Sequence, residues 1–124
     1  MGLQRDGQVM VGSILMKAPI VVNEHGDVSV FETVEHAARS LEAIDVANNE
    51  YVAYDSEGRL LVLEAAESNQ KVVIRAAETA AAHADELRRV LVEFFSRAGV
   101  RDISPTMKLA ELIAAYVARY GYTR

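Results

Sequence analysis

The sequence predicts an α+β fold: a mostly antiparallel sheet of four or five strands, one inserted helix and a C-terminal helical pair. Three observations carry this. Short β-branched or aliphatic runs recur at Ile20–Asn23, Val28–Phe31, Tyr51–Tyr54, Arg59–Glu64 and Lys71–Ala76, separated by polar turn residues. One stripe of helical period interrupts them after Phe31. Two longer stripes, in "HADELRRVLVEFFSRAG" and "SPTMKLAELIAAYVARYG", follow the last strand. Helices on one face of the sheet are the economical arrangement for such an order.

Taken in order, the first two strands are joined by "NEHGD", where Gly26 suits a turn that needs positive φ. Val34, Ala37, Ala38, Leu41 and Ile44 then fall on one helical face, with Thr33 as the N-cap. "DSEG" joins the third and fourth strands. Asp55 can bond the turn backbone, and Gly58 can take the left-handed position of a type I turn closed by a bulge. "AAETAAAHA" reads as a helix lead-in. In the helical pair, Leu87, Val90, Leu91, Phe94, Phe95 and Ala98 share a stripe that ends at Gly99. Leu109, Leu112, Ile113, Tyr116, Val117 and Tyr120 form the second, with Ser104 as N-cap and Pro105 at the first helical position. "VRDI" is short enough to make the pair antiparallel.

A chain of 124 residues fits one domain and can bury about two-thirds of its unfolded surface. Residues 1–16 read as a loose leader or a first strand, with Met16 as an alternative translation start, and residues 17–124 as the single α+β domain. Arg5 is offset by Asp6 and no cleavage site follows, which argues against a signal peptide. No run approaches the ~20 apolar residues of a membrane span. There are no cysteines, so disulfides, thiol nucleophiles and cysteine-ligated zinc are excluded. The expected location is cytoplasmic.

Searches for catalytic chemistry find no pattern. His25, His36 and His83 do not pair at i, i+3 or i+4, so no helix offers two imidazoles to a metal. There is no G-x-S-x-G elbow and no glycine-rich phosphate loop. Carboxylates are plentiful but sit at turns and strand ends, where solvation keeps them from the raised pKa that acid catalysis needs. Arg88, Arg89, Arg97 and Arg101 line one helix, yet the acidic half of the chain opposes nucleic-acid binding. The expectation is a non-enzymatic domain with no cofactor, no metal, no nucleic acid and no membrane contact.

Charge is the uneven feature. The net charge is −5, but residues 1–67 hold 12 acids and 4 bases whereas residues 68–124 hold 6 acids and 9 bases. Such asymmetry points to a basic protein partner attracted by an acidic face. Asp45, Glu50, Asp55 and Glu57 surround the hairpin and are expected on one exposed surface, with Tyr54 as an aromatic anchor beside them. Strand alternation puts Tyr51 and Tyr54 on opposite faces, so only one of them can serve a given cluster.

The segment "VFETVEHAARSLEAIDVANNEYVAYDSEGRLLVL", Val30 to Leu63, resembles small bacterial immunity-like proteins of polymorphic-toxin loci. The matching pieces are "LEAIDV", Leu41 to Val46, and "EYVAYDSEGRLL", Glu50 to Leu61, within about a quarter of the chain. The resemblance implies a protein that neutralises a toxin by binding it through an acidic surface, with no catalytic group of its own. Two alternatives stay open: a self-associating structural or regulatory module of uncharacterised bacterial type, a homodimer held by the half-apolar end at Tyr116, Tyr120 and Tyr122, and a small-molecule-binding domain.

Overall fold

The computed structural model of the protein describes residues 16–76 and 81–124. The expected leader or first strand before Met16 and the "AETA" part of the expected helix lead-in lie outside the described residues. Five strands form one antiparallel sheet: β1 (Ile20–Glu24), β2 (Asp27–Phe31), β3 (Val52–Tyr54), β4 (Leu60–Ala66) and β5 (Lys71–Ala76), in the order β2-β1-β3-β4-β5. The helical pair is α3 (Ala84–Arg97) and α4 (Leu109–Tyr120), and the inserted helical region is two short helices, α1 (Val34–Ser40) and α2 (Ala43–Ala47).

The turns follow their sequence chemistry. His25 (φ 54°) and Gly26 (φ 98°) both take positive φ in the two-residue β1–β2 connection, the pattern of a type I′ hairpin that matches strand twist. The Gly26 N–H donates to Asn23 Oδ1 at 2.7 Å. In the β3–β4 turn the Gly58 N–H donates to the Asp55 carbonyl and the Asp55 N–H to that of Arg59, with Gly58 at φ 88°. That is the expected type I turn with a bulge.

The helix ends are partly as expected. Thr33 caps α1 by accepting from the His36 N–H at 3.0 Å. α3 ends in a Schellman arrangement, Val100 N–H to the Phe95 carbonyl and Gly99 N–H to that of Ser96. α4 departs from expectation: Ser104 and Pro105 lie in a separate turn, where Ser104 Oγ accepts from the Thr106 N–H. The helix starts at Leu109, and the Glu111 carboxylate accepts from the Lys108 N–H at 2.8 Å. A serine–proline pair closes a turn as readily as it opens a helix, and the local signal is the same.

Two further expectations are corrected. The stripe Val34–Ile44 is not one helix. Leu41 leaves helical geometry (φ −77°, ψ 143°), which keeps its side chain in the core and re-aims α2 so that Val46 is buried and Ile44 is 58% exposed. Nor do the helices share one face. α1 and α2 cover Ile20, Val22, Phe31, Ala53, Leu61, Val72 and Ile74, while α3 and α4 cover Val21, Val28, Val30 and Tyr54 on the other side. The reason is legible in hindsight: β1 and β3 are apolar at successive positions, so both faces need cover. Leu41, Leu61, Leu91, Leu112 and Ile113 are buried as their spacing requires; Phe94 is half-buried against Phe95, Tyr116 and Tyr120.

Candidate functional site: the acidic end of the sheet

Strand pairing decides where the carboxylates go. β3 runs between Glu50 and Asp55, with Asn23 opposite Val52 and Val21 opposite Tyr54. Five residues of extended chain span about 16 Å, so Asp45 and Glu50 fall at one end of the sheet and Asp55 and Glu57 at the other. The expected single acidic surface therefore divides in two.

At the far end, Asp55 is fully buried. Its carboxylate accepts from the backbone N–H groups of Lys17 (3.2 Å), Glu57 (3.0 Å) and Arg59 (2.9 Å), and from the Arg59 guanidinium at 3.1 Å. Glu57 is exposed but also pairs with Arg59, at 2.7 Å. Hydrogen bonds to Glu57 and then Asp55 raise the Arg59 pKa above its ordinary value. Asp55 thus organises the turn rather than presenting charge. Tyr54 is likewise 1% exposed, and its hydroxyl donates to the Glu86 carboxylate under α3. Burial, then that carboxylate, pushes the Tyr54 pKa up. It cannot be the exposed anchor that the sequence suggested.

The near end is different. The β1–β2 turn and the α2–β3 connection bring together Glu24, His25, Asp45, Glu50 and Tyr51. His25 Nε2 lies 2.6 Å from Glu50 Oε1, with the two side chains 70% and 37% exposed. Glu50, then Glu24, raises the His25 pKa above the usual imidazole value. The Tyr51 hydroxyl donates to Asp45 Oδ2 at 3.4 Å; burial raises its pKa, and the charges of Asp45 and Glu24 add to that. Glu24 is the member that sequence reasoning missed, although its place beside a hairpin turn was a usable signal.

Two large apolar side chains near these acids in sequence are open to solvent: Ile44 (58%) on α2, and Val52 (41%), whose alternation with Ala53 turns it to the opposite, α3–α4 side of the sheet. Ile44 lines a groove of about 560 Å³ with Leu41, Glu42, Asn69 and Lys71, between the α1–α2 junction and the β4–β5 loop. In that loop Glu67, Ser68 and Asn69 all take positive φ, at 53°, 58° and 64°. For residues with a Cβ this costs about 1–2 kcal/mol each, and such strain persists where surrounding structure enforces it.

Two of the arginines on α3, Arg88 and Arg97, serve the fold. Arg88 donates to the carbonyls of Met107 and Pro105, and Arg97 to that of Gly26 at 2.6 Å. Among the described residues no three His, Cys, Asp or Glu side chains gather as a metal would require. No helix among them is long and apolar enough to cross a membrane.

Fold and site together define an α+β domain with helices on both faces of a five-stranded antiparallel sheet and an acidic, partly apolar end. No protein-family model, curated protein or solved structure matches the chain.

Proposed function

We propose that the chain is a non-enzymatic protein-binding domain that receives a basic protein partner on the acidic end of its sheet. The observation that carries this is the gathering of Glu24, Asp45 and Glu50 at one end of the sheet, with Ile44 exposed beside Asp45 in α2. Apolar side chains contribute burial energy at the centre of a contact, and surrounding charge steers the encounter. The strained β4–β5 loop beside the groove adds support, since enforced backbone strain clusters at binding sites. The finer form of the proposal is an immunity protein neutralising a toxin. Its support is the resemblance of "LEAIDV" and "EYVAYDSEGRLL", segments that supply Ile44, Asp45 and Glu50 to this end. A cytoplasmic location goes with this reading and suits a cysteine-free chain.

The test is a capture experiment in the native organism with two baits, the parent chain and Asp45→Lys/Glu50→Lys. A basic protein retained by the parent and lost by the variant, with both baits melting alike, supports the proposal. Equal retention by both baits contradicts it.

A further inference from the structure

Among the described residues the outer strands of the sheet are β2 and β5, and an edge strand offers backbone groups on which another chain can pair. The outer side of β2 is occupied by the chain itself. Beyond α4, the Thr123 N–H donates to the Val30 carbonyl at 2.7 Å, and the Val30 N–H donates to Thr123 Oγ1 at 2.9 Å. The Tyr116 hydroxyl donates to the Val28 carbonyl at 2.8 Å. Both residues whose backbone points outward, Val28 and Val30, are therefore engaged in cis.

We propose that the β2 edge is a latent self-association edge, held closed by the Thr123 strap, and that a second copy of this chain occupies it by antiparallel β2–β2 pairing when the strap is released, the Val28 carbonyl accepting through its second lone pair while the Tyr116 hydroxyl stays in place. The strand is self-complementary. Centred on Ser29, the pairing sets Val28 opposite Val30 of the second copy and Val30 opposite its Val28. These are the outward-pointing residues, so each pair exchanges two N–H···O bonds. Directly opposite residues share a face, so the valines under α3 and α4 in one copy continue that face in the other. Asp27 falls opposite Phe31 of the second copy, and no like charges meet.

The experiment uses the absence of native cysteine. Across the two-fold, Ser29 meets its own counterpart in a non-hydrogen-bonded pair with Cα atoms about 4.5 Å apart, within disulfide reach. Ser29→Cys is compared with Ser29→Cys/Thr123→Pro, which loses both the N–H and the hydroxyl of the strap. Mild oxidation should give roughly thirtyfold more covalent dimer in the double variant, the factor that two net hydrogen bonds of closure represent. Thr123→Pro alone should sediment as a concentration-dependent dimer. Thr123→Val, which keeps the N–H, should show a smaller gain of the same sign, and circular dichroism establishes that each variant is folded. A folded Thr123→Val with no gain, a folded Thr123→Pro that stays monomeric, or unfolding of both variants would overturn the proposal; the last would make the strap part of the fold and not a guard.

Discussion

A β-carbon placed on Gly58 would lie 2.4 Å from Ala84 Cα and 2.6 Å from Ala84 N. The β3–β4 turn is thus pressed against the first residue of α3, and the His83 N–H donates to the Gly58 carbonyl at 2.9 Å. Two independent constraints meet at one residue: the left-handed φ of the bulge and the approach of a helix end.

Gly58→Ala should therefore cost more than its backbone angle alone. Positive φ accounts for about 1–2 kcal/mol, and displacing backbone at Ala84 adds to it, for a total of about 3 kcal/mol. Gly99→Ala is the control, because Gly99 also has positive φ (78°) but nothing within 4 Å of a built β-carbon. Denaturant unfolding of the two variants should show Gly58→Ala the more destabilised. Equal losses would mean that the contact with α3 is not tight.

Asp55→Ala should destabilise by about 3 kcal/mol, because it removes the acceptor of three backbone N–H groups and of Arg59 in a buried position. The corresponding loss for Glu57→Ala, whose carboxylate is exposed, should stay below about 1 kcal/mol. Urea titrations of both variants measure the difference. A loss at Glu57 as large as that at Asp55 would reverse the roles assigned here.

The His25–Glu50 contact gives a pH dependence whose sign is set by geometry. The folded-state pKa of His25 is raised by Glu50, so the stabilisation is fully present below the unfolded value of about 6.5 and is lost as pH rises through the folded value. Proton NMR should find His25 titrating above 6.5 in the parent and returning towards 6.5 in Glu50→Gln. An unchanged titration in that variant would break the link between the β1–β2 turn and the α2–β3 connection.

Much of the fold was legible because the information is local. All five strands, the Gly26 and Gly58 turns, the Thr33 cap and the Gly99 helix end follow from a few neighbouring residues. The rest depends on contacts distant in sequence. Asp55 looked like a solvated turn acid until the segment at Lys17, 38 residues away, placed its backbone N–H on the carboxylate. Tyr54 looked like an exposed aromatic until Glu86, 32 residues away, took its hydroxyl. Leu41 satisfied the helical period and also a non-helical position in the core, and only the packing of α2 on β4 and β5 distinguishes them. Strand order, which sent the acids to opposite ends, leaves no trace in a local pattern.

The most direct test of the central claim is the association rate between the parent chain and its captured partner as a function of salt. Between 0.1 M and 1 M salt the Debye length falls from about 10 Å to about 3 Å. Binding at the Glu24–Asp45–Glu50 end predicts an on-rate that drops steeply over that range and a weaker salt dependence in Asp45→Lys/Glu50→Lys. Glu57→Lys, at the opposite end, should leave the parent's rate and salt dependence nearly unchanged. An on-rate indifferent to salt, or one that responds to Glu57→Lys and not to Asp45→Lys/Glu50→Lys, would contradict binding through this end of the sheet.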